Sequence, residues 1–287
     1  LVTYLESNAQ GDNSTFDHVN INSSFDQITW GNLHPTRPED SYITILDMDG
    51  YTSAYAVDYE LAIKNETYRV SEYYRLRYTE KRIYLLDFER KMNENFTEEA
   101  VRFANDKIIL GIRDENVNME ESADGRNLAF EQNGSLYTFR ETDRRLVRVF
   151  TFGDKDNDDP RTRNSNHNIK ILRVGENGSV YFAVYGYMNR GRHEGDTGIS
   201  VCYYDSSLNQ TEEQVYINYP YSYDRLKADV DTLFFYDGGA NLNAYLAGCV
   251  YKVSIEERKL KSLARPKEIV VSESNRMARS EERRVGK

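Results

Sequence analysis

Cysteine is scarce in this sequence of 287 residues, and its scarcity excludes two classes of protein. Cys202 and Cys249 are too few for a small disulfide-stabilised scaffold, and their spacing does not fit a CxxC metal or redox motif. Two interpretations stay open for them. They are either two small buried apolar residues or the two halves of one disulfide.

Long apolar runs and clusters of basic residues are missing as well. The longest apolar stretches, such as residues 108–112, are far shorter than the roughly 20 residues that cross a bilayer. The formal charge of -10 and the pI near 5.1 disfavour phosphate backbones and anionic lipids as partners. We therefore expect no nucleic acid partner and no membrane span in this chain.

The sequence contains none of the short motifs that mark common active sites. It has no GxSxG elbow, no HExxH helix, and neither a GxxxxGK[ST] nor a GxGxxG phosphate loop. A pair of catalytic carboxylates cannot be selected from 47 acidic residues. No catalytic residue is assigned, and the sequence favours a protein that is not an enzyme.

Aromatic residues, in contrast, are abundant and indicate β structure. The chain has 23 Tyr and 12 Phe beside five Pro, and aromatic side chains favour half-buried pleated surfaces. From Tyr42 onward, alternating apolar runs predict strands, with a hairpin turn at Asp49 and Gly50. Residues 95–112 are the one segment for which we predict a short helix.

A strand meander recurs along the second half of the chain. It begins with SADGRNLAFEQNGSLYTFRETDRRLVRVFTF, returns around ENGSVYFAVYGY and again in TLFFYDGGANLNAYLAGCVYKVS. Asn133 and Asn177 each begin an Asn-Gly-Ser sequence. We interpret both sequences primarily as turns and only secondarily as glycan acceptors. Repetition at about 40 to 55 residues is typical of blade repeats. The predicted fold class is all-β, a β-propeller or propeller fragment built of antiparallel blade meanders, with a β-sandwich as the competing fold.

Two resemblances support blades. The segment SADGRNLAF, residues 122–130, resembles the strand opening of TolB-like and WD-repeat-like propeller blades, and VVSESNRMA repeats it weakly. HNIKIL, ENGSVYFAVYGYMNRGRHEGDTGISVCYY and VVSESNRMA resemble segments of uncharacterised envelope-anchored propeller proteins of gut clostridia. This second resemblance implies an extracytoplasmic location and a membrane anchor upstream of Leu1.

Three segments follow from these patterns. Residues 1–40 lack a sustained period and are predicted to be a poorly ordered or edge segment. Residues 41–278 are predicted to form the blade-repeat domain, truncated at both ends. Residues 279–287 resemble the adapter-derived ending of proteins predicted from metagenomic reads, and we expect a non-native or disordered tail.

One acidic loop offers ligands for a cation. Asp154, Asp156 and Asp158 supply carboxylates at alternate positions, as Ca²⁺-binding loops do. An EF-hand would need Gly at the sixth position and Glu at the twelfth, where this loop has Asp159 and Ser165. A solvated connection between blades is the preferred interpretation, and Ca²⁺ is the only cofactor that the sequence leaves open.

The most distinctive loop is GYMNRGRHEGDTG, residues 186–198. A strand ending at Met188 is predicted to lead into an exposed loop whose candidate ligand-binding residues are Asn189, Arg190, Arg192, His193 and Glu194. A purely structural turn is the alternative.

The leading functional hypothesis is a non-catalytic, extracytoplasmic binding or sensing module of the bacterial cell envelope. Its expected partner is a protein or a cell-envelope ligand, and we expect a monomer. A carbohydrate-active enzyme on a propeller scaffold and a regulatory propeller of a missing catalytic domain are the alternatives.

Overall fold

The computed structural model describes most of the chain and is dominated by β structure. Strand accounts for 58% and helix for 7%, which confirms the predicted all-β class. The described residues are 16–36, 41–64, 66–97, 101–104, 107–110, 112, 117–153, 159–237, 239, 241–255, 257–265, 270–272 and 277–279.

The chain folds into two compact units, Leu1–Ile112 and Arg113–Lys287. The first contains a five-stranded antiparallel sheet in the order β1-β5-β4-β3-β2. Its elements are β1 (His18–Asn20), α1 (Phe25–Ile28), β2 (Ser41–Asp49), β3 (Thr52–Ile63), β4 (Glu66–Tyr78) and β5 (Ile83–Glu94). Gly50, at φ +57°, turns the chain between β2 and β3, which confirms the predicted hairpin.

The predicted helix at residues 95–112 is wrong for the part of this segment that the structure describes. Strands β6 (Arg102–Ala104) and β7 (Lys107–Ile109) form a hairpin there. Ile108 and Ile109 are β-branched, which favours a paired strand over a helix. The apolar segment is too short for its periodicity to distinguish a helix from a strand.

A buried ion pair fastens the segment around α1 to the sheet. Arg90 Nε lies 2.9 Å from Glu72 Oε1, and the two side chains are 5% and 8% exposed. Tyr59 Oη donates a hydrogen bond of 2.9 Å to the same carboxylate oxygen. Arg90 also donates to the carbonyl of Ile28 at 2.9 Å and lies 3.9 Å from the centre of the Trp30 ring. A buried charge is stable only with such partners.

The second unit contains three four-stranded antiparallel meanders, which we call blades 1 to 3. This arrangement confirms the predicted blade meanders. Blade 1 comprises β8 (Met119–Glu121), β9 (Asn127–Gln132), β10 (Ser135–Arg140) and β11 (Arg145–Phe150). Blade 2 comprises β12 (His167–Val174), β13 (Val180–Tyr187), β14 (Thr197–Asp205) and β15 (Gln210–Asn218). Blade 3 comprises β16 (Phe234–Tyr236), β17 (Asn241–Leu246), β18 (Cys249–Ser254) and β19 (Lys259–Ala264).

Further elements connect or follow the blades. A 3-10 helix, Pro160–Arg163, precedes blade 2, and helix α2 (Tyr223–Thr232) lies between blades 2 and 3. Strands β20 (Val270–Ser272) and β21 (Met277–Arg279) form a last hairpin.

Apolar side chains join neighbouring blades. One buried cluster includes Leu136 of blade 1 and Phe182 of blade 2. Another includes Ile199 of blade 2, Leu226 of α2 and Leu242 of blade 3. Burying each sheet against the next is how blade repeats form a continuous core.

The predicted segment boundaries remain predictions. The boundary between the two compact units falls in the sequence between residues 112 and 113, inside the predicted blade-repeat domain. Within the predicted edge segment 1–40, β1 and α1 place Val19 and Ile28 in the interior. Of the predicted tail, Arg279 ends β21, and residues 280–287 lie outside the described part of the chain.

Candidate functional site

All three blades join their first and second strands by the same kind of turn. In each, a side-chain oxygen of Asp or Asn accepts a hydrogen bond from the backbone N–H two residues later, which is an Asx turn. The pairs are Asp124 with Arg126 at 3.2 Å, Asn177 with Ser179 at 3.0 Å, and Asp237 with Gly239 at 2.9 Å. The three turns therefore mark the same end of each blade.

The turn of blade 1 is hydrogen-bonded to the turn of blade 2. Asn127 is almost fully buried, and its Nδ2 donates to the carbonyl oxygens of Gly175 at 3.3 Å and Glu176 at 3.0 Å. Its backbone N–H donates to Ser122 Oγ at 3.0 Å. The SADGRN sequence therefore both closes its own turn and holds the next one in place.

A cavity of about 510 Å³ lies at this end of the blades, and we call it the tyrosine pocket. Its volume falls in the usual range for small-molecule sites. The pocket is lined by residues of the first two blades: Ala123, Arg173, Val174, Gly175, Glu176, Asn177, Ser179, Tyr181 and Tyr203.

Two tyrosines form the aromatic wall of the tyrosine pocket. Tyr181 on β13 is the direct cross-strand partner of Tyr203 on β14, and their ring centres lie 4.6 Å apart at 37°. The ring of Tyr236, on blade 3, lies 5.6 Å from that of Tyr181. Because the strands fix these backbones, the rings form a wall with little conformational entropy left to lose on binding.

Charged and polar groups stand beside this wall. Arg173 is exposed near the end of β12, and Glu176 is exposed in the turn that follows. The turn is compact: a Cβ atom at Gly175 would lie only 2.7 Å from Asn177 Oδ1, so a larger residue there would collide with that side chain. The pocket thus combines apolar ring surface with one cationic and one anionic side chain, an arrangement suited to a small polar ligand.

The predicted ligand loop lies at the other end of blade 2. Strand β13 ends at Tyr187, close to the expected position, and the loop of residues 188–196 leads to β14. Tyr187 lies six positions after Tyr181 along β13, a distance of roughly 20 Å at the usual rise of a strand. The loop and the tyrosine pocket are therefore separate candidate sites.

Asn189, one of the five predicted ligand-binding residues, faces the interior. It is 1% exposed, and its Nδ2 donates to the carbonyls of Thr162 at 3.3 Å and Asn164 at 2.8 Å. Its amide holds the chain around the 3-10 helix against the loop. In this structure Asn189 positions the loop from inside.

Arg190 and Glu194 form ion pairs with two residues of the segment before blade 2, Asp159 and Arg161, which the sequence pattern did not indicate. Arg161 Nη1 lies 2.8 Å from Glu194 Oε1, and Arg190 Nε lies 3.8 Å from Asp159 Oδ2. Hydrogen bonds from the Arg161 side chain and backbone lower the pKa of Asp159 to about 2. The ion pairs join the loop to the segment before blade 2.

His193 lies flat on Tyr216, with ring centres 3.5 Å apart and an interplanar angle of 4°. Its Nε2 is 3.0 Å from Glu213 Oε1, while Ser200 Oγ donates to Glu213 Oε2 at 2.6 Å. Burial, followed by the charges of Asp196 and Glu213, raises the pKa of Tyr216 to about 12. Both His193 and Ser200 thus contact the same carboxylate.

Arg192 is exposed, Glu194 is exposed, and Arg190 and His193 are half-buried. Internal contacts therefore anchor the loop at four of its five candidate positions, Asn189, Arg190, His193 and Glu194. Its role in ligand binding stays a prediction.

The predicted cation ligands Asp154, Asp156 and Asp158 lie outside the described residues. Within the described ranges, no group of three or more His, Cys, Asp or Glu side chains is arranged to hold a metal ion. Cys202 and Cys249 are both buried and form no disulfide, as in the first interpretation of the cysteines. Burial raises the pKa of Cys202 to about 11.

No protein-family model matches this chain, and neither does any curated protein. Among solved structures, it is similar to the extracellular domain of BT4673, a proposed one-component system of B. thetaiotaomicron. That likeness has 11% identity and a TM-score of 0.27, and covers 81% of this chain and 30% of the other. A likeness to the tricorn protease has 11% identity and a TM-score of 0.20, and covers 80% of this chain and 27% of the other. Both TM-scores are too low to bear on function.

In the part of the chain that the structure describes, no helix is long and apolar enough to cross a bilayer.

Proposed function

We propose that this protein is a non-catalytic binding or sensing module of the bacterial cell envelope, which holds its ligand in the tyrosine pocket. The observation that carries the proposal is the pairing of Tyr181 with Tyr203 beside Arg173 and Glu176, in a cavity of about 510 Å³. The extracytoplasmic location rests on the resemblance of the sequence to envelope-anchored propeller proteins.

The chemistry of the pocket favours a sugar unit of an envelope glycan as the ligand. A pyranose ring has one apolar face, formed by its axial C–H groups, which packs on an aromatic ring such as Tyr181 or Tyr203. Its hydroxyl groups both donate and accept hydrogen bonds. Glu176 accepts such bonds, and Arg173 donates them. The turn backbone beside Asn177 offers further polar groups at the rim.

Glycan binding in this pocket tests the proposal. Purified protein would be applied to an array of bacterial envelope glycans, and the affinity of each positive glycan would be measured by calorimetry. Tyr181→Ala and Tyr203→Ala should each weaken binding at least about tenfold, because each removes a large part of the stacking surface.

A matched control is Tyr51→Ala, since Tyr51 is a 76% exposed tyrosine of the first unit and lies outside the pocket lining. It should bind as the unchanged protein does. Equal binding by all three variants would remove the pocket from the proposal, and the absence of any glycan ligand would remove the ligand class.

The competing function, glycoside hydrolysis, has its own signature. It needs a second carboxylate facing the first across the substrate, and Glu176 is the one carboxylate among the described lining residues. Release of reducing sugar that stops in Glu176→Gln would favour the enzyme and contradict a purely binding role.

A further inference from the structure

The sheet of the first unit has one apolar face and one charged face. Direct cross-strand partners, and residues two apart in a strand, share a face. Ile43 pairs with Val57, which lies two positions before the buried Tyr59. Ile45 pairs with Tyr55, on the same face. The core face of the sheet therefore continues out to its edge strand, β2.

The opposite face of the same strands carries the charges. Asp47 pairs with Ala54, and Ala54 pairs with Arg75, which pairs with Asp87. Asp49, two positions after Asp47, pairs with Thr52 and lies on the same charged face. Around β2, the apolar and the charged side chains therefore lie on opposite faces, whereas the buried ion pair of Glu72 and Arg90 lies further along the core face.

Other residues of the first unit cover part of the apolar face. Around Tyr59 and Val70 it packs against Trp30 and Leu33, and near Phe88 against Val19 and Ile28. Among the residues that the structure describes, several further side chains on this face are exposed to solvent. Its most exposed side chains are Ile43 at 68%, Met48 at 63%, Ile45 at 59%, Tyr78 at 56% and Ile83 at 50%. We call these five residues the open apolar face.

We propose that the open apolar face is the interface with a second copy of this chain, with the two faces packed against each other as in a β-sandwich. No charged residue belongs to the open apolar face, so a charged partner would find no counter-charge there. A second copy presents an identical apolar surface, which gives the self-complementary contact of a two-fold dimer. Two sheets packed in this way lie about 10 Å apart.

The area is adequate for such a dimer. With about 200 Å² of accessible surface for a large side chain, the exposed fractions amount to roughly 600 Å² on each copy. A standard interface buries roughly 800 Å² per partner, and the partly exposed neighbours Tyr55 and Leu85 on the same face add to the total. Exposed apolar patches of several hundred Å² on one protein commonly mark interfaces.

Packing through the faces is favoured over pairing of β2 edges. The register of β2 with β3 shifts between Ile45 and Asp47, so β2 carries a bulge at its centre. Bulges in edge strands oppose pairing with another chain. This dimer differs from the monomer that we expected from the sequence.

Neighbouring residues of β2 provide the test, because Ile45 and Thr44 point to opposite faces and both are exposed. The molar mass of the full chain would be measured by light scattering across a concentration series. The unchanged protein and Thr44→Lys should both approach twice the chain mass of 33.4 kDa. Ile45→Lys should raise the concentration needed for dimerisation at least about tenfold, since it places an unpaired charge in the contact.

Met48→Glu is a second variant, in case Ile45→Lys disturbs folding, and circular dichroism would confirm that each variant is folded. Folded Met48→Glu should also shift toward the monomer. A single chain mass for the unchanged protein at every concentration would overturn the proposal. So would equal effects of Thr44→Lys and Ile45→Lys.

Discussion

Asn127 Nδ2 lies 3.0 Å from the carbonyl oxygen of Glu176, 49 positions further along the chain, and this hydrogen bond joins the turns of the first two blades. It also fixes the rim of the tyrosine pocket, because Glu176 and its neighbours line that pocket. The shape of the pocket therefore depends on the hydrogen bonds between the first turn of blade 1 and the first turn of blade 2.

Replacing Asn127 by Ala should lower the free energy of unfolding by about 1–3 kcal/mol, because two carbonyls lose their donor in a nearly dry site. The midpoint of urea unfolding measures the loss. Arg126→Ala is the control, since the neighbouring Arg126 side chain is 64% exposed, and it should cost less than about 0.5 kcal/mol. Similar costs for the two variants would show that the bridge between blades contributes little.

Arg90→Met should be among the most damaging changes in the first unit. It leaves the Glu72 carboxylate buried without its cation, and breaking such a pair typically costs about 3–5 kcal/mol. Lys91→Met, next in sequence on the exposed side, should be nearly neutral. Denaturant unfolding of both variants provides the comparison, and a mild loss for Arg90→Met would contradict a structural role for the ion pair.

Cys202 should resist thiol reagents while the protein is folded. Burial raises its pKa to about 11, so at pH 8 the reactive thiolate is a minor species as well as a shielded one. Reaction with a coloured disulfide reagent should be slow in buffer and fast in denaturant. Rapid release of the chromophore from native protein, lost in Cys202→Ser, would show that the thiol is accessible.

Asp159 should titrate near pH 2, below its ordinary value of 3.8, because Arg161 hydrogen-bonds to its charged form. A lowered pKa means that the pairing is fully present above about pH 4 and is lost as the pH falls through about 2. Carboxyl carbon shifts in NMR follow this titration. In Arg161→Ala the midpoint should return toward 3.8, and an unchanged midpoint would mean that another group holds the carboxylate.

Local patterns were enough to predict the blades. Alternation and the turn residues fixed the strands, and Asn133 and Gly134 do turn the chain between β9 and β10 with positive φ. Helix α2 was not predicted, although Ser222 stands at its N-terminus and Leu226 and Val230, four residues apart, share its buried face. The predicted strand meander TLFFYDGGANLNAYLAGCVYKVS begins at Thr232, the last residue of α2.

The tyrosine pocket could not be predicted from local patterns. Tyr181 and Tyr203 meet only through the register of β13 with β14, and Asn127 reaches Glu176 only after two blades have packed. The 188–196 loop was conspicuous because of its composition. Three of its side chains nevertheless pair with Asp159, Arg161 and Glu213, and the sequence of the loop indicates none of these partners.

The crystal structure of the protein with a bound envelope glycan tests the central claim most directly. We predict electron density for a sugar ring stacked on Tyr181 or Tyr203, with its hydroxyl groups within hydrogen-bonding distance of Arg173 or Glu176. Density for the glycan at the 188–196 loop, around Arg192 and His193, with the tyrosine pocket containing only solvent, would contradict the account.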